Sequence, residues 1–253
     1  MFEEFSEELI DHPEANDHPE SEEIAEGESM KKSFHIQETN NPDMPEVVIG
    51  GVPELWAETM DSYQGDNEYG IRQCCGLVST SNLFQMAGMD LTEDDVVEYA
   101  LGNNRCIIDW FDWSESGGTE KEDVEAILES HGIEAETYEA FEVDYEEMAG
   151  WIEGGQGVIL GHNAYLTMEG MEDYASTNAY GQLFADHYVA MTGTVRDLDG
   201  NLLGYTVCDS GFHDGMRFIS LDQMDAGFKD VFYGDVIVTS EPIHEDGRPL
   251  YQA

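Results

Sequence analysis

Two adjacent thiols, a histidine and a carboxylate occur in this chain where they could act as nucleophile, base and orienting group. The stretch Gln73-Cys74-Cys75-Gly76-Leu77-Val78-Ser79 follows a Gly- and Asn-containing loop, and the apolar spacing from Leu77 to Ala87 predicts a helix that stops at Gly88. A thiol at a helix N-terminus faces unpaired backbone N–H groups and the positive end of the helix dipole. Both favour the thiolate, the form that attacks carbonyl carbon. Far downstream, His187 opens an alternating, strand-like segment, His187-Tyr188-Val189-Ala190-Met191-Thr192-Gly193. The next such segment, Leu203 to Cys208, runs into Asp209-Ser210-Gly211, a carboxylate at a strand end. Cysteine on a helix start, histidine on one strand and aspartate on its neighbour have the residue types and the order of a nucleophile, base and orienter.

Cys75-Gly76-Leu77-Val78-Ser79, His187-Tyr188-Val189-Ala190-Met191-Thr192-Gly193 and Asp209-Ser210 resemble the motifs of the C39-like branch of the papain-like cysteine peptidases. The resemblance runs from about Val52 to Val238 and is carried by motifs, not by overall identity. It implies an α+β, papain-like fold in which N-terminal helices, the nucleophile helix among them, pack on a C-terminal antiparallel sheet. It also implies Cys75 as nucleophile, His187 as base, Asp209 as orienter and Gln64, upstream of Cys75, as the glutamine of the oxyanion hole. The sequence departs from the family pattern in three places. Asp186 stands where a small residue precedes the histidine, Ser210 stands where proline follows the aspartate, and the doubled cysteine leaves Cys74 as an alternative nucleophile.

An isolated buried cysteine is more often core than catalyst, so it is the joint order of these groups that carries weight. His162, after the strand-like Gly157 to Gly161, is a competing base, and His213, just beyond Asp209, is a third candidate. Hydrolysis of a peptide bond through an acyl-enzyme needs no metal or organic cofactor here. The same residues would serve an acyltransferase or transpeptidase, and a papain-like fold retained as a non-catalytic binding protein is the reading from another class.

The elements that would position these residues can be read along the chain. Residues 1–45 are acidic and polar, with Asp-His-Pro-Glu at Asp11 to Glu14 repeated at Asp17 to Glu20. They read as a disordered tail ahead of a domain over 46–253. Within the tail, Phe2, Phe5 and Leu9 share a helical face on which a protein partner could dock, and His12 and His18 have carboxylate neighbours. Val48 to Met60 is an apolar entry segment. Thr92 with Asp95 and Thr119 with Glu122 read as capping boxes that open two further helices. The aromatic stretch Arg105 to Trp113 reads as core or cleft wall, and Asn163 to Leu183 as a long loop over the cleft. Strands are expected at Ile133 to Phe141, Gly157 to Gly161, Tyr188 to Arg196, Leu203 to Cys208, Met216 to Ser220 and Val236 to Val238. A hairpin turn is expected at Asp199-Gly200-Asn201.

With 56 acidic against 9 basic residues, the chain carries a formal net charge of −47. Such a charge repels nucleic-acid phosphate and anionic membrane surfaces, and makes a peptide or protein of basic character the better-matched substrate. It is also the composition of proteins adapted to saline surroundings. Four cysteines without Cys-x-x-Cys spacing indicate neither a zinc site nor a redox motif, and point to a reducing compartment. The sequence begins without a basic and then apolar leader and contains no long apolar run, so synthesis in the cytoplasm is expected, with signal-independent export left open.

Overall fold

The structure, a computed structural model, describes residues 34–39, 41–60, 62–168, 171–212 and 216–251. The expectations for the segment 1–33 and for His213 lie outside the described residues. In chain order the elements are β1 (Phe34–Glu38), β2 (Glu46–Gly51), α1 (Pro53–Thr59), α2 (Cys75–Ala87), α3 (Glu93–Asn103), α4 (Lys121–Ser130) and β3 (Ala135–Glu139). They continue with α5 (Tyr145–Glu153), β4 (Val158–His162), β5 (His187–Arg196), β6 (Leu202–Cys208), β7 (Met216–Ser220) and β8 (Asp235–Thr239).

These eight strands make one sheet in the order β1-β2-β5-β4-β8-β3, with β6 on β5 and β7 on β6, and a separate short ladder pairs residues 244–245 with 248–249. Every pairing is antiparallel. β5 is the organising strand. Its first half pairs with β4, from His187 opposite His162 to Met191 opposite Val158. Its second half pairs with β2, and β6 runs along it with a register shift between Met191 and Gly193. The period of two sorts its side chains between the two faces. Ile159, Ala190 and Ile237 enter the core under α2, α3 and α4, whereas Val158, Leu160, Val189, Met191, Val236 and Val238 enter a second core with Met148, Ala149 and Ile152 of α5. The fold is therefore α+β, with helices on both faces of an antiparallel sheet.

Local chemistry explains the helix ends. α2 stops where Gly88 takes φ +85°, and the Gly88 N–H donates back to the carbonyls of Gln85 and Phe84. α3 opens on the Thr92–Asp95 capping box. At α4 the box forms one residue later than expected, because Glu120 is the cap and Asp123 its partner, while Thr119 turns inward toward α2. Two further readings change. β1, within the stretch read as tail, pairs with β2 along its whole length. The aromatic stretch, expected as core or cleft wall, belongs to neither: Ile107, Trp110, Phe111 and Trp113 are exposed, and none of its residues lines the cleft at Cys75. Its physical reason is local: the Asp109 carboxylate accepts from the N–H groups of Phe111 and Asp112 and folds the segment into a surface turn. Among the described residues no helix is long and apolar enough to cross a membrane.

Candidate active site

Cys75 is the first residue of α2, a helix buried along most of its length. Two contacts set where its sulfur lies. The Ser79 hydroxyl donates to the Tyr188 carbonyl at 3.1 Å, tying the first turn of α2 to β5. Gly76 lets α2 approach closely, since a Cβ there would lie 2.1 Å from Thr119 Oγ1 and 3.2 Å from the Tyr188 ring. The two cysteines then part company. Cys74 is fully buried, within 3.5 Å of the Glu93 carboxylate and 3.6 Å of the Asn67 amide. Burial, with the nearby Glu93 charge, pushes its thiol up to about 12. Cys75 is partly exposed and lines the same cleft as His187. Burial acts to raise its pKa, but the His187 hydrogen bond and charge, with the backbone N–H groups of Tyr188 and Gly76, outweigh it, and the thiol falls below its ordinary value.

His187 begins β5, and its Nε2 lies 2.7 Å from Asp209 Oδ1, which leaves Nδ1 without a part in that bond. Asp209 follows the last residue of β6 and has no exposed surface. Its other oxygen accepts from Arg217 Nε at 2.7 Å, and Oδ1 also accepts from the Gly211 N–H at 2.9 Å. Burial opposes charge on both partners. For His187, the hydrogen bonds to Asp209 and Cys75 win, so the imidazolium is favoured. For Asp209, His187, Arg217 and Gly211 win, so its carboxyl stays well below the usual range. Asp209 thus holds His187, and His187 and Cys75 face one cleft, each favouring the other's charged form, an arrangement able to hold a thiolate and an imidazolium.

Arg217 belongs to no motif in the sequence. It projects from β7, and its remaining guanidinium nitrogens donate to the Thr167 carbonyl at 2.9 Å and hydroxyl at 3.0 Å. The only available signal was its scarcity, a basic side chain inside an alternating strand of a chain with 9 basic residues. The loop from Asn163 to Leu183 is expected over the cleft. None of its described residues lines the space around Cys75, and through Thr167 it braces Arg217 instead. His162, the competing base, is fully buried beside His187, with ring centroids 5.6 Å apart. Its Nδ1 meets the Thr167 hydroxyl at 3.1 Å, and burial followed by the His187 and Arg217 charges holds it neutral.

Gln64 sits beside the aspartate end of the line. Its N–H donates to the Ser210 carbonyl at 2.9 Å, and the Ser210 hydroxyl donates to its Oε1 at 3.3 Å. The serine that replaces proline therefore holds this glutamine. Asp186, the other departure, accepts from the Ala164 N–H at 2.9 Å and from the Ser176 hydroxyl, fixing the chain entering β5. Cys75 and His187 open into a cleft of about 480 Å³ whose wall includes Gly118, Thr119, Gly161, Tyr188 and Asp235.

No family profile matches the sequence, and no curated protein matches it. Among solved structures, a protein described as a C39-like peptidase from Bacillus anthracis aligns with TM-score 0.50 over 72% of this chain and 94% of its own, at 14% identity. The chain has the C39-like, papain-like fold. A double glycine motif protease from an AMS/PCAT transporter, solved with its leader peptide, aligns with TM-score 0.38 over 66% of this chain and 84% of its own, at 15% identity. Here α2, which begins at Cys75, packs on β5, which begins at His187.

Proposed function

We propose that the chain is a cysteine peptidase in which Cys75 is the nucleophile, His187 the acid and base, and Asp209 the orienter. The observation that carries this reading is the cleft that Cys75 and His187 share, with the His187 ring held at 2.7 Å by the buried Asp209. The Cys75 thiolate attacks the carbonyl carbon of a peptide bond, forming a C–S bond and an oxyanion. The Cys75 backbone N–H donates to that oxygen, and the resemblance gives as second donor the amide of Gln64, whose Oε1 the Ser210 hydroxyl holds. Collapse breaks the C–N bond as His187 gives its proton to the leaving amine. A water deprotonated by His187 then releases the acyl group as a carboxylate and frees the thiol. The net charge of −47 supports peptides of basic character as substrates.

Two measurements test this reading. Iodoacetamide should alkylate Cys75 rapidly at pH values below the ordinary thiol range, and a peptide library should be cleaved by the wild type but not by Cys75→Ala. Uniform slow labelling together with an uncleaved library would instead favour a non-catalytic binding protein.

A further inference from the structure

Asp235 begins β8 and is 4% exposed, opposite Gly161 of β4 on one side and Glu139 of β3 on the other. Its Oδ2 accepts from the Tyr188 hydroxyl at 3.1 Å, while its Oδ1 is buried with no hydrogen-bond partner among the described residues. That oxygen lies over Gly161, where a Cβ would come within 2.4 Å of it. Gly161 and Asp235 both face the cleft that contains Cys75 and His187. A buried acceptor left unmet is costly, so an empty carboxylate oxygen in the wall of a cleft marks a place for a donor.

The surroundings select what that donor is. The cleft wall holds four carboxylates, on Glu120, Glu139, Asp186 and Asp235, against one ammonium, on Lys121. Lys121 is itself paired with Glu139. Asp186 is engaged by Ala164 and Ser176, which leaves Asp235 as the buried carboxylate with an open oxygen. A neutral N–H would meet the acceptor, but a cationic donor would also offset the surplus of negative charge. We propose that Asp235 is the floor of a subsite beside Cys75 that takes a cationic group of the substrate, the guanidinium or ammonium of an arginine or lysine side chain. The proposal rests on the peptidase reading for its physiological meaning, and Asp235 then determines specificity without taking part in bond cleavage.

Two arms separate the subsite from that reading. In the first, a short alkylguanidinium salt is tested for protection of Cys75 against iodoacetamide, with the alcohol of equal chain length as control. Labelling is followed by mass spectrometry and normalised to each variant's unprotected rate. The assay runs in about 1 M salt, where the Debye length is about 3 Å and the field of distant surface charge is removed. The guanidinium should protect the wild type and the alcohol should not, and Asp235→Asn should raise the half-protecting concentration by about tenfold or more. Asn retains an acceptor for the Tyr188 hydroxyl, and melting curves establish that this variant is folded. Absence of protection in the wild type, or the same half-protecting concentration in both proteins, overturns the subsite.

In the second arm, paired peptides carry arginine or citrulline at each position in turn. Wild type should prefer arginine at one position by about tenfold or more in kcat/KM, mostly through KM, and Asp235→Asn should lose that preference. Cleavage without such a preference, or a loss in Asp235→Asn shared equally by arginine and citrulline peptides, overturns the subsite and leaves the peptidase reading standing. A protected Cys75 with no peptide cleaved overturns the peptidase reading and leaves the subsite.

Discussion

Replacing Asp235 with asparagine should make the protein more stable at alkaline pH. Burial, reinforced by the Glu139 and Glu122 charges, raises the Asp235 carboxyl to about 7, against the opposing pull of Tyr188 and Lys121. A carboxyl raised in the fold favours folding most when it is protonated. Its contribution is complete below the unfolded value of 3.8 and is lost as pH rises through about 7. The gap between those two values, at about 1.4 kcal/mol per pH unit, corresponds to about 4 kcal/mol. Asparagine cannot ionise and loses nothing over this range. Urea melts of both proteins from about pH 4.5 to about pH 8.5 read the difference directly, because every other titrating group is common to the pair. The variant should gain on the wild type by about 3 to 4 kcal/mol across that range, most steeply below pH 7. A difference that stays flat with pH, or that moves against the variant as pH rises, would refute the reasoning.

The other expectations concern the triad and its supports. Cys75→Ala should abolish peptide hydrolysis while Cys74→Ala keeps most of it at a stability cost of about 1 kcal/mol, and modification of Cys74 by an active-site probe in the Cys75→Ala protein would shift the assignment by one residue. Arg217→Met leaves Asp209 a buried carboxylate short of its cationic partner and should cost about 3 to 5 kcal/mol, with kcat falling more than KM rises in the fraction that stays folded. Gly76→Ala should cost about 1 to 3 kcal/mol through the collision with Thr119, and adding Thr119→Ala should recover part of it, so strictly additive losses would rule out that contact. Rising salt should lower kcat/KM for Lys- and Arg-rich peptides and leave kcat nearly unchanged, and acidic peptides preferred at low salt would end the steering idea.

What could be read from the sequence was what is local. The stop of α2 at Gly88 and the Thr92–Asp95 box are decided within a few residues, and the strands of the central sheet carry their period of two in their own spelling. The aromatic stretch around Trp110 misleads because its apolar composition suggests core or cleft wall, whereas two backbone bonds to Asp109 fold it into a surface turn. At α4 the register moved by one because Thr119, a good cap by type, is drawn against Gly76 on another helix. Cys75, His187 and Asp209 stood out because each sits at an element boundary in a motif. Arg217 and Asp235 did not, because each becomes a neighbour of the site only through strand pairing that no local pattern records.

Arg217 also bears on how the proposed thiolate could form in a chain of net charge −47. A negative surface field by itself raises the free energy of a thiolate and lowers that of an imidazolium. With Cys75 ionised and His187 protonated, that pair sums to zero, and Asp209 with Arg217 sums to zero beside it. A distant charge acts on such a neutral group of four only through the small distances between its members, so its effect on formation of the thiolate largely cancels. An orienting carboxylate without Arg217 would leave the site one charge more negative, and the cost of that extra charge would be greatest in a molecule this acidic. Local groups, namely the α2 N-terminus, the Tyr188 and Gly76 N–H groups and Arg217, then set the reactivity of Cys75. The surface is left free to act on the substrate before it arrives, where charge governs encounter more than reaction.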